Sequence, residues 1–415
     1  MKRHLLVVAG LTASATVLAL GGCSSSGTGG DDAVTITYSN FISNDGNEEN
    51  LQTIVDGFEK ANPGITVDVK TLPYADYGTA LQTDLAAGTA ADVFDIEYAN
   101  YAQYQANGVL APLTVADPAA YRPTLLEAYQ TDGTQYALPS SFSDVVLYYN
   151  KDLFDAAGLS YPTSDWTWAD EKAAAEKLTD QAAGIWGDHQ PVSFYEYYKT
   201  LAQNGGSFLD DSGTKTAFNT PEGIEAAKWL TEKSGTVMPT IEQGQGTPDF
   251  DTKLFTDGKL AMLHTGIWVF SSMADVPFGW DIAVEPGNTD KASAVFSNAV
   301  AVSASSKHQD AAAKWAEYLT SSDVMVQTRL DAGWELPPIS DEAQLDTYLG
   351  KGDPANRQAV FDSLDGIALP PVVATGQQEM QDIMTEELVE AQSGRKSVED
   401  ALSSAQERID AVIGG

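Results

Sequence analysis

The 415-residue chain has little of what several chemistries require. Its only cysteine is Cys23, so no disulfide can form within it. Cysteine-rich zinc sites are excluded for the same reason. Of four histidines, His4 lies at the N-terminus, and His189, His264 and His308 share no metal-ligand spacing. There are six arginines, one of them Arg3. Guanidinium is the usual bidentate partner of phosphate and carboxylate, so this scarcity argues against an anionic ligand. Positive charge is short throughout: 23 Lys+Arg stand against 59 Asp+Glu, a formal net charge of −36. Such a surface repels nucleic acid phosphates and anionic lipid headgroups. There is no G-x-x-x-x-G-K-[ST] loop, no G-x-G-x-x-G after a strand and no G-x-S-x-G elbow. Paired carboxylates could serve a glycosidase, but with 59 acids any spacing arises by chance. No catalytic residue, metal or cofactor is expected.

What is present is globular in composition, 43% hydrophobic and 20% charged. The length suits two or three units of about 150 residues. The chain opens with Met1-Lys2-Arg3-His4 and an apolar run, Leu5–Leu20. That run is shorter than the ~20 residues a membrane-spanning helix needs, and reads as a signal peptide over residues 1–22. Leu20-Gly21-Gly22-Cys23 resembles a bacterial lipobox, in which the cysteine thiol is lipidated after cleavage. An ordinary secretory signal with an incidental cysteine is the competing reading. Residues 23–32 then read as the lipidated Cys23 and a flexible Gly/Ser tether.

Downstream, Val34–Tyr38 alternates at period two and predicts a strand. Leu51, Ile54, Val55 and Phe58 follow at helical spacing, stopped by Asn62-Pro63-Gly64. Ile65–Val69 and Asp92–Ile96 read as further strands, with a helix through Leu81 and Leu85 between them. This βαβαβα order predicts a mostly parallel sheet with helices on its faces. Val145–Asn150, Leu260–Leu263, Ile282–Val284 and Asn298–Val302 read as later strands. Thr167 and Asp170 suggest a capping box, Thr220-Pro221 a helix start, and Ser397 the cap of a last helix striped with Leu402, Ala405 and Ile409.

In open α/β sheets ligands sit outside the carboxyl ends of the strands. Candidates there are Asn40, Phe41 and Asn44 after the first strand, Glu97, Tyr98 and Asn100 after the third, and Trp268 after Gly266. Each also has a plainer reading as a turn former or core plug.

Five stretches, in order, resemble the bacterial extracellular solute-binding proteins of family 1, the sugar-binding lipoproteins of ABC importers. They are Phe58-Glu59-Lys60-Ala61-Asn62-Pro63-Gly64 with Gly88–Val93; Leu138-Pro139 with Leu147–Phe154; Phe255–Met262 with Gly266-Ile267-Trp268; Ala299–Val302 with the helix Ala311–Leu319; and Gly394–Leu402. The resemblance implies an α/β fold of the two-lobed, type II periplasmic-binding-protein kind, with the ligand in a cleft between lobes joined by a three-segment hinge. The lobes are expected at 33–140 plus 297–336 and at 141–296 plus 337–415. Crossings are expected near Pro139–Ser143, Val295–Asn298 and Gly333–Ser340. It also implies a monomer that closes on a sugar and docks on an ABC permease, outside the cytoplasmic membrane. Carried over by position, Trp268 matches the family's sugar-stacking Gly-x-Trp. Tyr195 stands where an aromatic stacker often lies, Ser143 and Asp144 at the first crossing, Trp334 and Glu335 at the third, and Gln378 after Pro370-Pro371. Glu97-Tyr98 departs from the maltodextrin-binding members, which have a Trp in that loop, so their specificity does not transfer. Two other readings stay open: a polyamine or betaine binder of the same fold, and a secreted lipid-anchored glycosidase.

Overall fold

The computed structural model describes residues 33–43, 47–245, 247, 249–273, 275–332 and 334–414. Cys23, the leader, the tether, Asn44 and Gly333 lie outside them. The strands are β1 (Val34–Asn40), β2 (Ile65–Thr71), β3 (Val93–Glu97), β4 (Gln130–Thr131), β5 (Thr134–Gln135), β6 (Ala137–Asn150), β7 (Met262–Gly266), β8 (Trp280–Ala283), β9 (Ser293–Val302) and β10 (Ile367–Ala368).

The N-terminal part follows its sequence pattern. Ile36, Tyr38 and Asn40 alternate inward along β1. The Glu48–Ala61 helix buries Leu51, Ile54, Val55 and Phe58, and Glu48 and Glu49 sit at its positive end. The Phe58 ring meets Trp315 edge-on at 5.1 Å. β1 pairs in parallel with β2 and with β3.

Beyond β3 the expectation of a mostly parallel sheet fails. β9 is antiparallel to β3 and to β6, and β6 is antiparallel to β7 and β8. A periodic pattern marks a strand but not its direction, which is set by long-range connections. β6 is also longer than the Val145–Asn150 strand expected, and all 14 of its residues are buried. Its first half, with a proline and three serines, does not read as a strand. The ladder accommodates this with a register shift between Pro139 and Ser141. β9 likewise starts at Ser293 rather than Asn298.

These two long strands organise the molecule. β6 pairs with β9 from Ala137 to Asp144, then with β7 and β8 from Val145 to Asn150. β9 pairs with β3 through Asn298–Val302 and begins beside β10. One core cluster joins β1–β3, Phe58, Trp315 and Leu319 and runs on to Phe255, Leu263 and Ile282 around β7 and β8. A second lies among Phe194, Tyr197, Leu230, Met384 and Ile409. There the Val398–Ile413 helix, capped by Ser397 accepting the Asp400 N–H at 3.0 Å, packs on the Gln377–Gln392 helix. The Thr167–Asp170 capping box is formed in both directions. Trp168 is buried and stacks on Trp229 at 4.7 Å, so both serve packing.

Candidate functional site

The strand register draws distant residues into one line. Glu97 lies opposite Asn298, Asn298 opposite Ser141, and Phe296 opposite Ser143. Glu335 accepts the Ser141 hydroxyl and, at 3.2 Å, the Asn298 amide. Trp334 donates its indole N–H to the Ile42 carbonyl at 3.0 Å, and the Arg329 guanidinium lies 4.2 Å over its ring. The Trp334–Glu335 segment, expected as the third crossing, is thus tied to the turn after β1 and to both long strands.

Two aromatics stand out of this line. Trp268 is 53% exposed and Tyr195 38% exposed. Both brace against one half-buried ring, Phe296, each at 5.5 Å. Gly266 explains the spacing of the Gly-x-Trp element. A Cβ there would lie 1.8 Å from the Trp268 ring. Only a residue without a side chain lets the indole fold back over the end of β7. Tyr195 is fixed at its far end by donating its hydroxyl to Gln381 at 3.1 Å. Burial raises its phenol, and the charges of Glu97 and Asp382 raise it further. A cavity of about 320 Å³ gathers Ser143, Trp268, Trp334, Glu335, Lys351 and Arg357.

The remaining candidates are placed differently. Asn40 is fully buried. Its amide donates to Thr71 at 3.1 Å and accepts the Ser43 N–H and hydroxyl, so it shapes the turn from inside. Phe41 packs on Tyr77 at 5.0 Å. Tyr98 is half-buried and edge-on to Tyr129, and Asn100 reaches Glu97 at 3.5 Å. Asp144 is fully buried. Burial pushes its carboxyl well above the usual range, Glu285 adds to this and Arg122 opposes it. Gln378 is exposed and bonded along its own helix to Asp382. The residue of that helix that reaches the aromatics is Gln381, one turn on. Sequence reasoning missed it, and missed Phe296, although Phe296 lies inside the second expected crossing.

Behind the aromatics lies a buried ion network. Lys199 bonds Glu196 and Glu285 at 2.6 and 2.5 Å. Glu285 meets His264 Nδ1 at 2.9 Å, and Lys233 bonds Glu171 and Asp188 at 2.6 and 2.7 Å. Burial opposes charge on His264, but Glu285, Glu171 and Asp188 together lift it well above its ordinary range. Glu171, Asp188 and His264 offer ligand atoms within 4.8 Å of one another. The Lys233 ammonium stands among them as the cation. This juxtaposition of a histidine with acids was invisible in the spacing.

A family model described as bacterial extracellular solute-binding protein matches residues 44–326. The chain belongs to this family. It is 41% identical to an ABC substrate-binding protein from Listeria monocytogenes solved with cycloalternan, covering 92% of this chain and 99% of that one at a TM-score of 0.82. A mannitol-binding protein of Pseudomonas aeruginosa is 30% identical over 316 residues, 70% of this chain and 69% of that protein. The cyclic alpha-maltosyl-1,6-maltose binding protein of Arthrobacter globiformis shares the fold at 24% identity and a TM-score of 0.79, over 92% and 99% of the chains. The family's two-lobed type II α/β fold is therefore the fold of this chain. These three relatives are named for binding, two of them for a sugar or sugar alcohol, and none for catalysis. Among the described residues no helix is long and apolar enough to cross a membrane.

Proposed function

We propose that this protein is anchored outside the cytoplasmic membrane by a lipid on Cys23, captures a mono- or oligosaccharide, and delivers it to an ABC-transporter permease. The observation that carries this reading is the pair of exposed aromatic faces, Trp268 and Tyr195, braced on one ring and accompanied by Glu97. The C–H face of a pyranose is apolar and slightly positive, which an aromatic face complements. A carboxylate can accept two hydroxyls at once. Lobes at 33–140 plus 297–336 and 141–296 plus 337–415 close on the sugar by hinge motion. Trp268, Tyr195, Glu97, Ser143, Trp334 and Glu335 are the contacts we favour. Lys351 and Arg357 in the same cavity match Glu335 and Asp353 in number, so its lining offers a polyamine no excess of negative charge. The sugars in the relatives' names support an uncharged, hydroxyl-rich ligand.

A thermal-shift screen over mono- and oligosaccharides, cycloalternan and mannitol included, tests this. A ligand at 100 times its Kd adds about 2.7 kcal/mol. If no sugar stabilises the protein at millimolar concentration, the reading falls. Release of shorter sugars on prolonged incubation would instead reveal a glycosidase. Cys23→Ser should move the protein from the membrane to the soluble fraction.

A further inference from the structure

The turn after β1 is held from inside the sheet. Asp95, the middle residue of β3, is completely buried. One carboxylate oxygen accepts the Tyr38 hydroxyl at 2.6 Å. The other accepts the backbone N–H groups of Phe41 and Ile42 at 3.3 and 3.4 Å. The carbonyl of the same Ile42 accepts the Trp334 indole N–H at 3.0 Å. Tyr77 pins the neighbouring backbone, donating to the carbonyls of Ser39 and Asp95 at 3.1 and 2.9 Å. A continuous chain of hydrogen bonds therefore runs from a buried acid, through the turn, to a tryptophan lining the cavity.

We propose that Asp95 is a positioning residue for the cleft: its carboxylate holds the Phe41–Ile42 turn, the turn holds Trp334, and ligand affinity follows the charge on that carboxylate. The ligand half of this rests on the cleft being the sugar site. A charged acceptor binds N–H groups roughly twice as strongly as a neutral one. Protonating Asp95 therefore loosens the turn without removing it. Burial pushes this carboxyl up to about 7, while the Tyr38 hydroxyl and the Ile42 and Phe41 N–H groups pull it down. The charged and titratable groups around it are Tyr38 on β1, Tyr77 on the Tyr74–Ala87 helix with Tyr104 behind it, and Arg329 on the Asp323–Ala332 helix, itself facing Glu335. Arg329 favours the carboxylate. The two histidines of the neighbouring ion network shift apart: buried His264 is lifted well above its ordinary range, and half-buried His189 is lowered by desolvation. Affinity should therefore fall as pH drops through neutrality.

The test uses the full chain, ¹⁵N-labelled and without ligand. The Trp334 indole N–H, assigned with Trp334→Phe, and the Ile42 amide are followed by NMR from about pH 5.5 to about pH 8.5. They should share one single-proton midpoint near 7. Asp95→Asn should abolish it, and Tyr38→Phe should move it upward, because the Tyr38 hydroxyl stabilises the charged form. A merely structural role would leave that midpoint unmoved. Calorimetry with the sugar that gives the largest thermal shift follows. The native protein should bind up to about tenfold more weakly at the acidic end, and Asp95→Asn should differ by less than about twofold. No shared midpoint, or the same midpoint in Asp95→Asn, overturns the hold on the turn. A flat affinity overturns the ligand half. If the resonances titrate as expected and no sugar binds at any pH, the sugar reading fails while the hold of Asp95 on the turn stands.

Discussion

Trp268→Ala probes the aromatic pair directly. The ring is 53% exposed and leans edge-on against Phe296, so its removal leaves no buried cavity. The unliganded protein should lose less than about 1 kcal/mol. Binding should suffer more, since truncating a central tryptophan at a binding surface costs about 2 kcal/mol or more, roughly thirtyfold in Kd. At a sugar concentration of 100 times the native Kd, ligand stabilisation should drop from about 2.7 to about 0.9 kcal/mol. At about 2 °C per kcal/mol for a chain of this size, the thermal shift should shrink from about 5 to about 2 °C. Gly266→Ala reaches the same ring from below. Its added Cβ would fall 1.8 Å from the indole and must displace it. Gly266→Ala alone should therefore weaken binding, whereas in the Trp268→Ala background it should add little, a non-additive cycle. An undiminished shift in Trp268→Ala, or fully additive losses in the double variant, would refute the reasoning.

Lys199→Met removes a buried ammonium, leaving Glu285 to His264 alone and Glu196 with no cation but only the Gln190 amide; about 3–5 kcal/mol should be lost in urea unfolding at neutral pH. His264 is raised in the fold, so its stabilising contribution is complete below the unfolded value of about 6.5 and is lost as pH climbs through its higher folded value. The melting temperature should accordingly fall on the alkaline side, and a flat alkaline profile would contradict the charged His264. Phe58→Ala empties a fully buried site against Trp315 and should cost about 3–5 kcal/mol by denaturant titration, with little change in m-value.

Local pattern was legible where local forces decide. The stripe of Leu51, Ile54, Val55 and Phe58 gave its helix, and Thr167 and Asp170 gave their capping box. What escaped was non-local. The direction of β6 and β9 depends on long connections, and their polar halves look like loop because they carry serines and a proline, although Ser297 bonds the Ser141 carbonyl across the sheet and Ser141 bonds Glu335. The candidate site divides in the same way. Trp268 carries its own signature in Gly266, since the glycine is needed for the ring to fold back. Gln378 and Gln381 share one helix, and only the packing of that helix reveals which of them meets Tyr195. Asn40 was picked for its strand end, yet its amide is consumed by Thr71 and Ser43. The ion network of His264 has no sequence period at all, because His264 and the acids around it, Glu171, Asp188 and Glu285, come from four separate segments.

Phe296 is a single residue of β9 on which Trp268 and Tyr195 both rest. It also sits opposite Ser143, in the stretch where β6 and β9 change partners. If sugar binds at this cleft and the β6–β9 stretch is its hinge, as proposed, the recognition surface is mounted on the joint and not on one of the bodies it connects. Any twist of that joint tilts both rings together, like two pointers on one shaft. The emission of Trp268, separated from that of the other seven tryptophans by difference with Trp268→Phe, would then act as a gauge of lobe angle, readable in solution without an attached label.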